Sequence, residues 1–402
     1  MEKIRVYMSK LKNMTTYRLG KLKTLVGEHK KRAAIILIVS AMLVSGVLWI
    51  FLRTYHDYSV VLSVARNSDT SAKYYFRDDG MLCYSKDGIS FTNKKQEVVW
   101  NQVFGMVSPK MSTCGDYISV GDVGANSVYV FNGKGLEGKI ALEKPLQDLR
   151  ISKQGVLAVI LSDGDANQIN LYNKEGGILA SIKATIGSTG YPLTLALSED
   201  GTRLVINYIV IDGGKVHSRI VFYNFSNKET SSEPVGNFEY DQLFPKIEFV
   251  ENNTVLACGE KGFNTYYFKD IATEKVNQTF DREIKSVFVT DNRFGIIMKN
   301  DQEAKEGETI KKYVTYIYNF SGSRVSSFRF DFDYKQVAVS DTEIILYDDQ
   351  ECVVYTHRGH EKFQYIFDHS IENIFPSNKS GEYILFDAQN IQIIRVCGTR
   401  RT

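Results

Sequence analysis

The sequence predicts an all-β body, a single β-propeller of eight blades with seven as the alternative, behind one N-terminal transmembrane helix. Three observations carry this. The stretch AAIILIVSAMLVSGVLWIFL (33–52) holds twenty residues without a charge. After Tyr58 no amphipathic helical pattern occurs; short runs of Val, Ile, Tyr and Phe alternate with Gly, Asp and Asn turns, the mark of strands. Those runs recur with a period of roughly 40–45 residues, the length of a four-stranded propeller blade.

A helix of twenty residues rises about 30 Å, the thickness of a bilayer's hydrocarbon core. Lys30, Lys31 and Arg32 stand just before it and Trp49 near its far end, where an indole suits the interface. Residues 1–32 carry ten Lys or Arg against Glu2 and Glu28, so this arm belongs on the cytoplasmic side. Ile4, Met8, Leu11, Leu19, Leu22 and Leu25 recur at helical spacing within it. That pattern reads as a basic amphipathic helix on anionic lipid or as a topogenic charge cluster. The apolar core is longer than a signal peptide's and no small-x-small site follows it, so the segment is read as an uncleaved anchor. Residues 53–57 are then a short linker, and 58–402 form the propeller outside the cytoplasm, in the cell membrane's outer compartment.

The net charge of +2 averages unlike regions. The basic excess lies in the arm and not on the body, which argues against nucleic-acid binding. The five cysteines, Cys83, Cys114, Cys258, Cys352 and Cys397, are scattered, with no CxxC, and fit buried free thiols better than disulfides or zinc.

Each repeat reads as strand, small turn, strand, as in LRISKQGVLAVIL (149–161) and LTLALSEDGTRLVINY (193–208). A third strand ends in an aromatic and a turn, as in INLYNKEG (169–176), and a fourth run closes the unit. Innermost strands are expected to begin near Ala72, Met106, Leu149, Leu193, Lys246, Lys285, Gln336 and Glu372. The unit at 72–104 is the least regular, hence the seven-blade alternative. The last unit, ending at IQIIRV (391–396), lacks a fourth strand, and YSVVLSVA (58–65) has no unit of its own. Together they close the ring and remove an exposed edge.

With this basic arm, anchor, degenerate repeats and turns such as SEDGT (198–202), the chain resembles a family of membrane-anchored β-propellers of low-GC Gram-positive bacteria, related in pattern to WD40, PQQ and TolB repeats. The resemblance implies no activity. The SEDG turn is similar to the Ser-Pro-Asp-Gly turn of periplasmic scaffold propellers, with Glu199 in place of Pro, and is a hairpin device.

Propeller topology puts the first-to-second and third-to-fourth turns on one face, here short and regular (KQG, SEDG, NKEG, NGKG). The other face carries the second-to-third connections, which are variable and acidic: 121–126, 162–168, 210–218, 259–264 and 299–312. Asp122, Asp163, Asp165, Asp212, Asp301, Glu303 and Glu306 form the candidate binding face. Turn chemistry alone accounts for such acids as well. Calcium is a further option, since DGDAN (163–167) starts like a calcium loop, although no Glu closes it; no other cofactor or metal is indicated. Only Arg53 to Asp57 separate the ring from the bilayer, about 17 Å when extended. The regular face is therefore expected toward the membrane.

No GxSxG elbow, GxGxxG or phosphate cradle follows a strand. His357 and His360, three apart across a turn, read as a hydrated hairpin. The expected function is a non-enzymatic, membrane-tethered scaffold presenting a protein- or glycan-binding face in the cell envelope. The alternative is an envelope hydrolase or lyase with acids gathered at the axial mouth.

Overall fold

Eight antiparallel sheets of four strands follow one another along the chain, and each strand pairs with its neighbour in sequence except at the ring's closure. This computed structural model describes residues 53–66, 72–77, 79–95, 97–164, 166–226, 233–300, 310–377 and 379–398, together with Leu37, 39–42 and Ser45. The innermost strands begin at Lys73, Pro109, Leu146, Tyr191, Lys246, Ile284, Gln336 and Ile371. The irregular unit at 72–104 is a full blade, with strands Lys73–Arg77, Gly80–Tyr84, Gly88–Asn93 and Val98–Val103. The count is therefore eight and the seven-blade alternative is set aside.

The burial pattern explains the order within a blade. Second strands are buried on both faces and read as apolar runs, such as LAVIL at the start of Leu157–Asp163. Outermost strands alternate, as in Ala272–Thr279, because one side meets solvent. Neighbouring blades share cores: Ala158, Ile160 and Leu171 of the third pack with Leu195, Leu204 and Tyr208 of the fourth. Trp100 of the first stacks on Phe131 of the second at 5.4 Å.

The eighth blade takes its outermost strand from the other end of the chain. Asp57–Ala65 pairs antiparallel with Asn390–Cys397. Arg66, just beyond, donates its backbone N–H to Gln389 O at 2.7 Å and pairs with Glu372 on the same blade's innermost strand. Phe76 against Phe375 (4.7 Å) and Tyr74 against Phe386 (4.2 Å) join the first blade to the eighth. Every outermost strand carries a one-residue slip against its partner, at Val99 in the first blade, Lys275 in the fifth and Val61 in the eighth, for example. Such bulges twist an edge away from further pairing.

The chain divides into two units, Met1–Tyr55 and His56–Thr402. Most of the 33–52 stretch, with Trp49, lies outside the described residues, as do Lys30, Lys31, Arg32 and the rest of the arm. Leu37, 39–42 and Ser45 are helical, and Leu37 and Met42 are exposed. Among the described residues no helix is long and apolar enough to cross a membrane. Cys258 and Cys352 are buried, whereas Cys83, Cys114 and Cys397 are only partly so, short of the full burial expected.

Candidate functional site

The face of second-to-third connections is less loop-rich than its sequence suggests. In the fourth blade, Arg203–Asp212 and Lys215–Asn224 run as one long hairpin closed by Gly213 and Gly214 (φ 55° and 77°). Two consecutive positive φ values are the hairpin turn that glycine permits. In the third blade the second strand ends at Asp163 and the third begins at Ala166. Only the sixth blade has a long connection, 300–312, whose residues 301–309 lie outside the described set. The opposite face is short and regular as expected, except for the longer 225–233 connection of the fourth blade.

Of the expected acidic rim, Asp122, Asp163 and Asp212 are described, one each on the second, third and fourth blades. Asp122 accepts the backbone N–H groups of Val107 (3.1 Å) and Ser108 (2.6 Å), fixing the crossover into its own blade. Asp163 pairs with Lys144 at 2.8 Å, and that hydrogen bond holds its carboxyl below the usual range. Asp212 stands exposed at its hairpin tip, opposite Lys215 in the register. Asp165, Asp301, Glu303 and Glu306 lie outside the described residues. Among the described residues no three His, Cys, Asp or Glu side chains gather as a metal site.

The best-built part of this face is the stem beneath 301–309. Asn300 donates its backbone N–H to Lys312 O (2.7 Å) and its side-chain amide to Lys311 O (2.8 Å), pinning both ends. The acids of the next crossover then hold the stem's lysines: Lys311 pairs with Asp331 (2.7 Å) and Lys312 with Asp333 (2.5 Å). Asp333 also accepts from the Tyr313 hydroxyl at 2.9 Å. These hydrogen bonds, Lys312's first, keep the Asp333 carboxyl ionised below the ordinary value.

Beside it, the innermost strand of the sixth blade slips by one residue between Ile284 and Ser286, leaving Lys285 as the extra, unpaired position. A bulge re-aims its side chain. The Lys285 ammonium lies 4.3 Å from the Tyr313 ring centre and 4.1 Å from that of Tyr334, and donates to the Tyr313 hydroxyl at 3.0 Å. Burial pushes the Tyr334 phenol up to about 12, and its hydroxyl donates to Ser286 Oγ at 2.8 Å. With its carboxylates salt-bridged and the Tyr334 phenol protonated, this cluster can stack and hydrogen-bond. The crossover FDFDYK (330–335), alternating aromatic and acid, was the sequence signal for it; the Lys285 bulge left none.

Three of the four carboxylates on the innermost strands also have basic partners, and the fourth, Glu251, accepts from Thr254 Oγ1 at 3.1 Å. Asp148 meets Lys110 (2.6 Å) and Arg150 (2.8 Å), Glu248 meets Lys246 (3.2 Å), and Glu372 meets Arg66. His357 is 5 % exposed and its Nε2 lies 3.1 Å from Ser340 O, so the hydrated-hairpin reading of that residue is corrected.

Two solved structures share the fold. The crystal structure of BamB from Moraxella catarrhalis aligns with TM-score 0.51 at 13 % identity, over 86 % of this chain and all of that one. A structure described as the eukaryotic initiation factor aligns with TM-score 0.54 at 12 % identity, over 86 % of this chain and 88 % of that one. At such identities the likeness concerns the fold alone. No curated protein sequence matches the chain. Residues 51–396 match a family of unknown function, DUF5711, and the chain belongs to that family.

Proposed function

We propose that the chain is a non-enzymatic, membrane-tethered β-propeller that presents its variable-loop face to a protein or glycan partner in the cell envelope. The observation that carries the binding face is the stem of the sixth blade. A rigid set of hydrogen bonds among Asn300, Lys312, Asp333 and Tyr313 holds the one long connection of that face, with the Lys285–Tyr334 platform beside it. Rigid support under a variable segment is how binding loops are usually mounted. The salt-bridged carboxylates on the innermost strands favour recognition over acid–base catalysis, which needs a free base near neutral pH.

The tether rests on the uncharged stretch 33–52 and its lysine flank. The ring's first strand starts at Asp57 on the short-turn face, so the variable-loop face is turned away from where the chain enters. The propeller then lies outside the cytoplasm and the basic arm inside.

The test is crosslinking in intact cells with the full chain, and with a variant in which 301–309 is replaced by a Gly-Ser segment of equal length. A defined partner captured by the first and lost by the second is expected. Capture indifferent to the exchange, or turnover of an ester or glycoside panel by the purified chain, overturns the reading.

A further inference from the structure

Between the first and eighth blades, on the face of short turns, lies a cleft of about 350 Å³. Its walls include Phe76 and Met81 from the first blade and Ile384 and Ile393 from the eighth. Two lysines at its lip come from turns, Lys94 after Gly88–Asn93 and Lys379 between Ile371–Pro376 and Glu382–Asp387. Lys379 is 75 % exposed, with Glu382 at 3.9 Å, and Glu382 is itself held by Arg395 at 2.5 Å. Arg77 also lines the cleft but is bound by Asp79 (3.0 Å) and Asp116 (3.1 Å). The cleft thus joins an apolar patch to polar groups, with Glu382 in its lining held by Arg395 and two exposed lysines, Lys94 and Lys379, at its lip.

The outer strands of these same two blades, like that of the fourth (PVGNFEY), lack the basic residue found on the other five. Lys139, Lys183, Lys275, Arg324 and Lys362 stand on the outermost strands of five other blades, the usual guard of an edge. VVWNQV of the first blade and DYSVVLSVA of the eighth carry no basic residue. At their short-turn ends they expose Val98, at 63 %, and Val60 and Val61, at 50 % and 49 %. Apolar side chains left on adjoining blades, next to a cleft that joins an apolar patch to a lysine lip, suit a ligand that is apolar at one end and anionic at the other. The chain also enters the ring on this short-turn face, at Asp57.

We propose that this cleft binds an anionic membrane phospholipid, with acyl carbons against Met81, Ile384 and Ile393 and the phosphate toward Lys94 and Lys379. The inference rests on the membrane-tether reading for the source of the lipid. It goes beyond that reading by giving the ring itself a lipid contact, separate from the variable-loop face.

The experiment places the full chain in phosphatidylcholine vesicles doped with phosphatidylglycerol or phosphatidylcholine bearing an acyl-chain diazirine. After illumination, adducts are mapped by mass spectrometry. Adducts in the peptides holding Met81, Ile384 or Ile393, richer with phosphatidylglycerol, are expected. Replacing Lys94 and Lys379 by Gln should cut that preference about fivefold per lysine, while Asp212→Asn leaves it unchanged. Labelling elsewhere only, or equal labelling by both lipids, overturns the proposal, as does displacement of the lipid by an apolar peptide with no headgroup preference.

Alkaline extraction before labelling separates the two readings. A chain that stays in the membrane with an unlabelled cleft sinks the lipid site and leaves the tether standing. A chain that washes off, yet is labelled in the cleft by monomeric short-chain phosphatidylglycerol, sinks the tether and supports the cleft's chemistry.

Discussion

The two faces of the ring use the same residue types differently. On the short-turn face, Asp, Ser, Thr and Asn are absorbed within a single turn or the junction beside it. In SEDGT, Asp200 accepts from Ser198 Oγ (2.6 Å), Thr202 N (3.0 Å) and Oγ1 (2.7 Å), and pairs with Arg203 (2.6 Å). Arg203, 5 % exposed, reaches on to Phe268 O at 2.9 Å and to Asn253, locking the fourth blade to the fifth. Gly201, at φ 72°, sits against Ser152 and Val156 of the third blade where a Cβ has no room. On the variable face, acids are spent between connections, as in Lys144–Asp163, Lys312–Asp333 and the Lys335–Asp349 pair. A buried, many-partnered charge is structural; an exposed pair is adjustable, and that is the property a recognition surface needs.

The contrast breaks most sharply at Arg203. Arg203→Ala removes the cation from Asp200, which keeps Ser198 and Thr202, and the donor from the Phe268 carbonyl, and should cost about 1.5–3 kcal/mol, read as a lowered denaturation midpoint. If the midpoint is unmoved, the junction is not held as described.

The next test is acid. Burial alone raises the Asp200 carboxyl, but the hydrogen bonds from Ser198, Thr202 and Arg203 outweigh it and hold the group well below its usual 3.8. Its stabilisation is therefore complete above the unfolded value and lost as pH falls below about 4. Asp200→Asn should lower stability at neutral pH and flatten the acid limb of the profile.

His357 acts at higher pH by the same logic. Burial, with Arg293 nearby, holds the imidazole below its ordinary 6.5, so it is neutral in the fold. The unfolded chain takes up the proton first, and stability present above pH 6.5 declines below it. His357→Gln should remove that decline for about 1 kcal/mol at neutral pH. A profile unchanged between pH 5 and 7 refutes the assignment.

The smallest effect is expected on the other face. Asp163→Asn and Asp333→Asn, alone or together, should leave the midpoint unresolved from wild type, although Asp333→Asn disturbs the Tyr313 contact and is expected to weaken partner capture. A large destabilisation from either would erase the distinction between the faces.

How much of this was readable depended on distance along the chain. The blade period, the second strands and hairpins such as SEDGT are local patterns, and five innermost strands begin within one residue of expectation. Tyr191 begins two residues early, while Pro109 and Leu146 depart by three. Met106 and Val107 resemble strand but belong to a crossover, whereas Gln147 and Asp148 resemble loop but belong to the strand. The ion pairs were not legible, because Lys312 and Asp333, for example, are 21 positions apart and meet only through strand pairing. Likewise His357 looks like any turn histidine until the neighbouring blade closes over it, and the Lys285 bulge is invisible without its partner strand.

The closing strand has a consequence in time. Asp57–Ala65 leaves the ribosome first among the ring's strands and finds its partner last, since Arg66 and Glu372 are 306 positions apart. At about 5–20 residues per second, that wait is roughly 15–60 s. Throughout it, VVLSVA is an unpaired apolar segment of the kind chaperones capture, and the final docking step has a long loop to close. Yield in cells should therefore depend on how that segment is shielded during synthesis, more than on the strength of any blade once it is made.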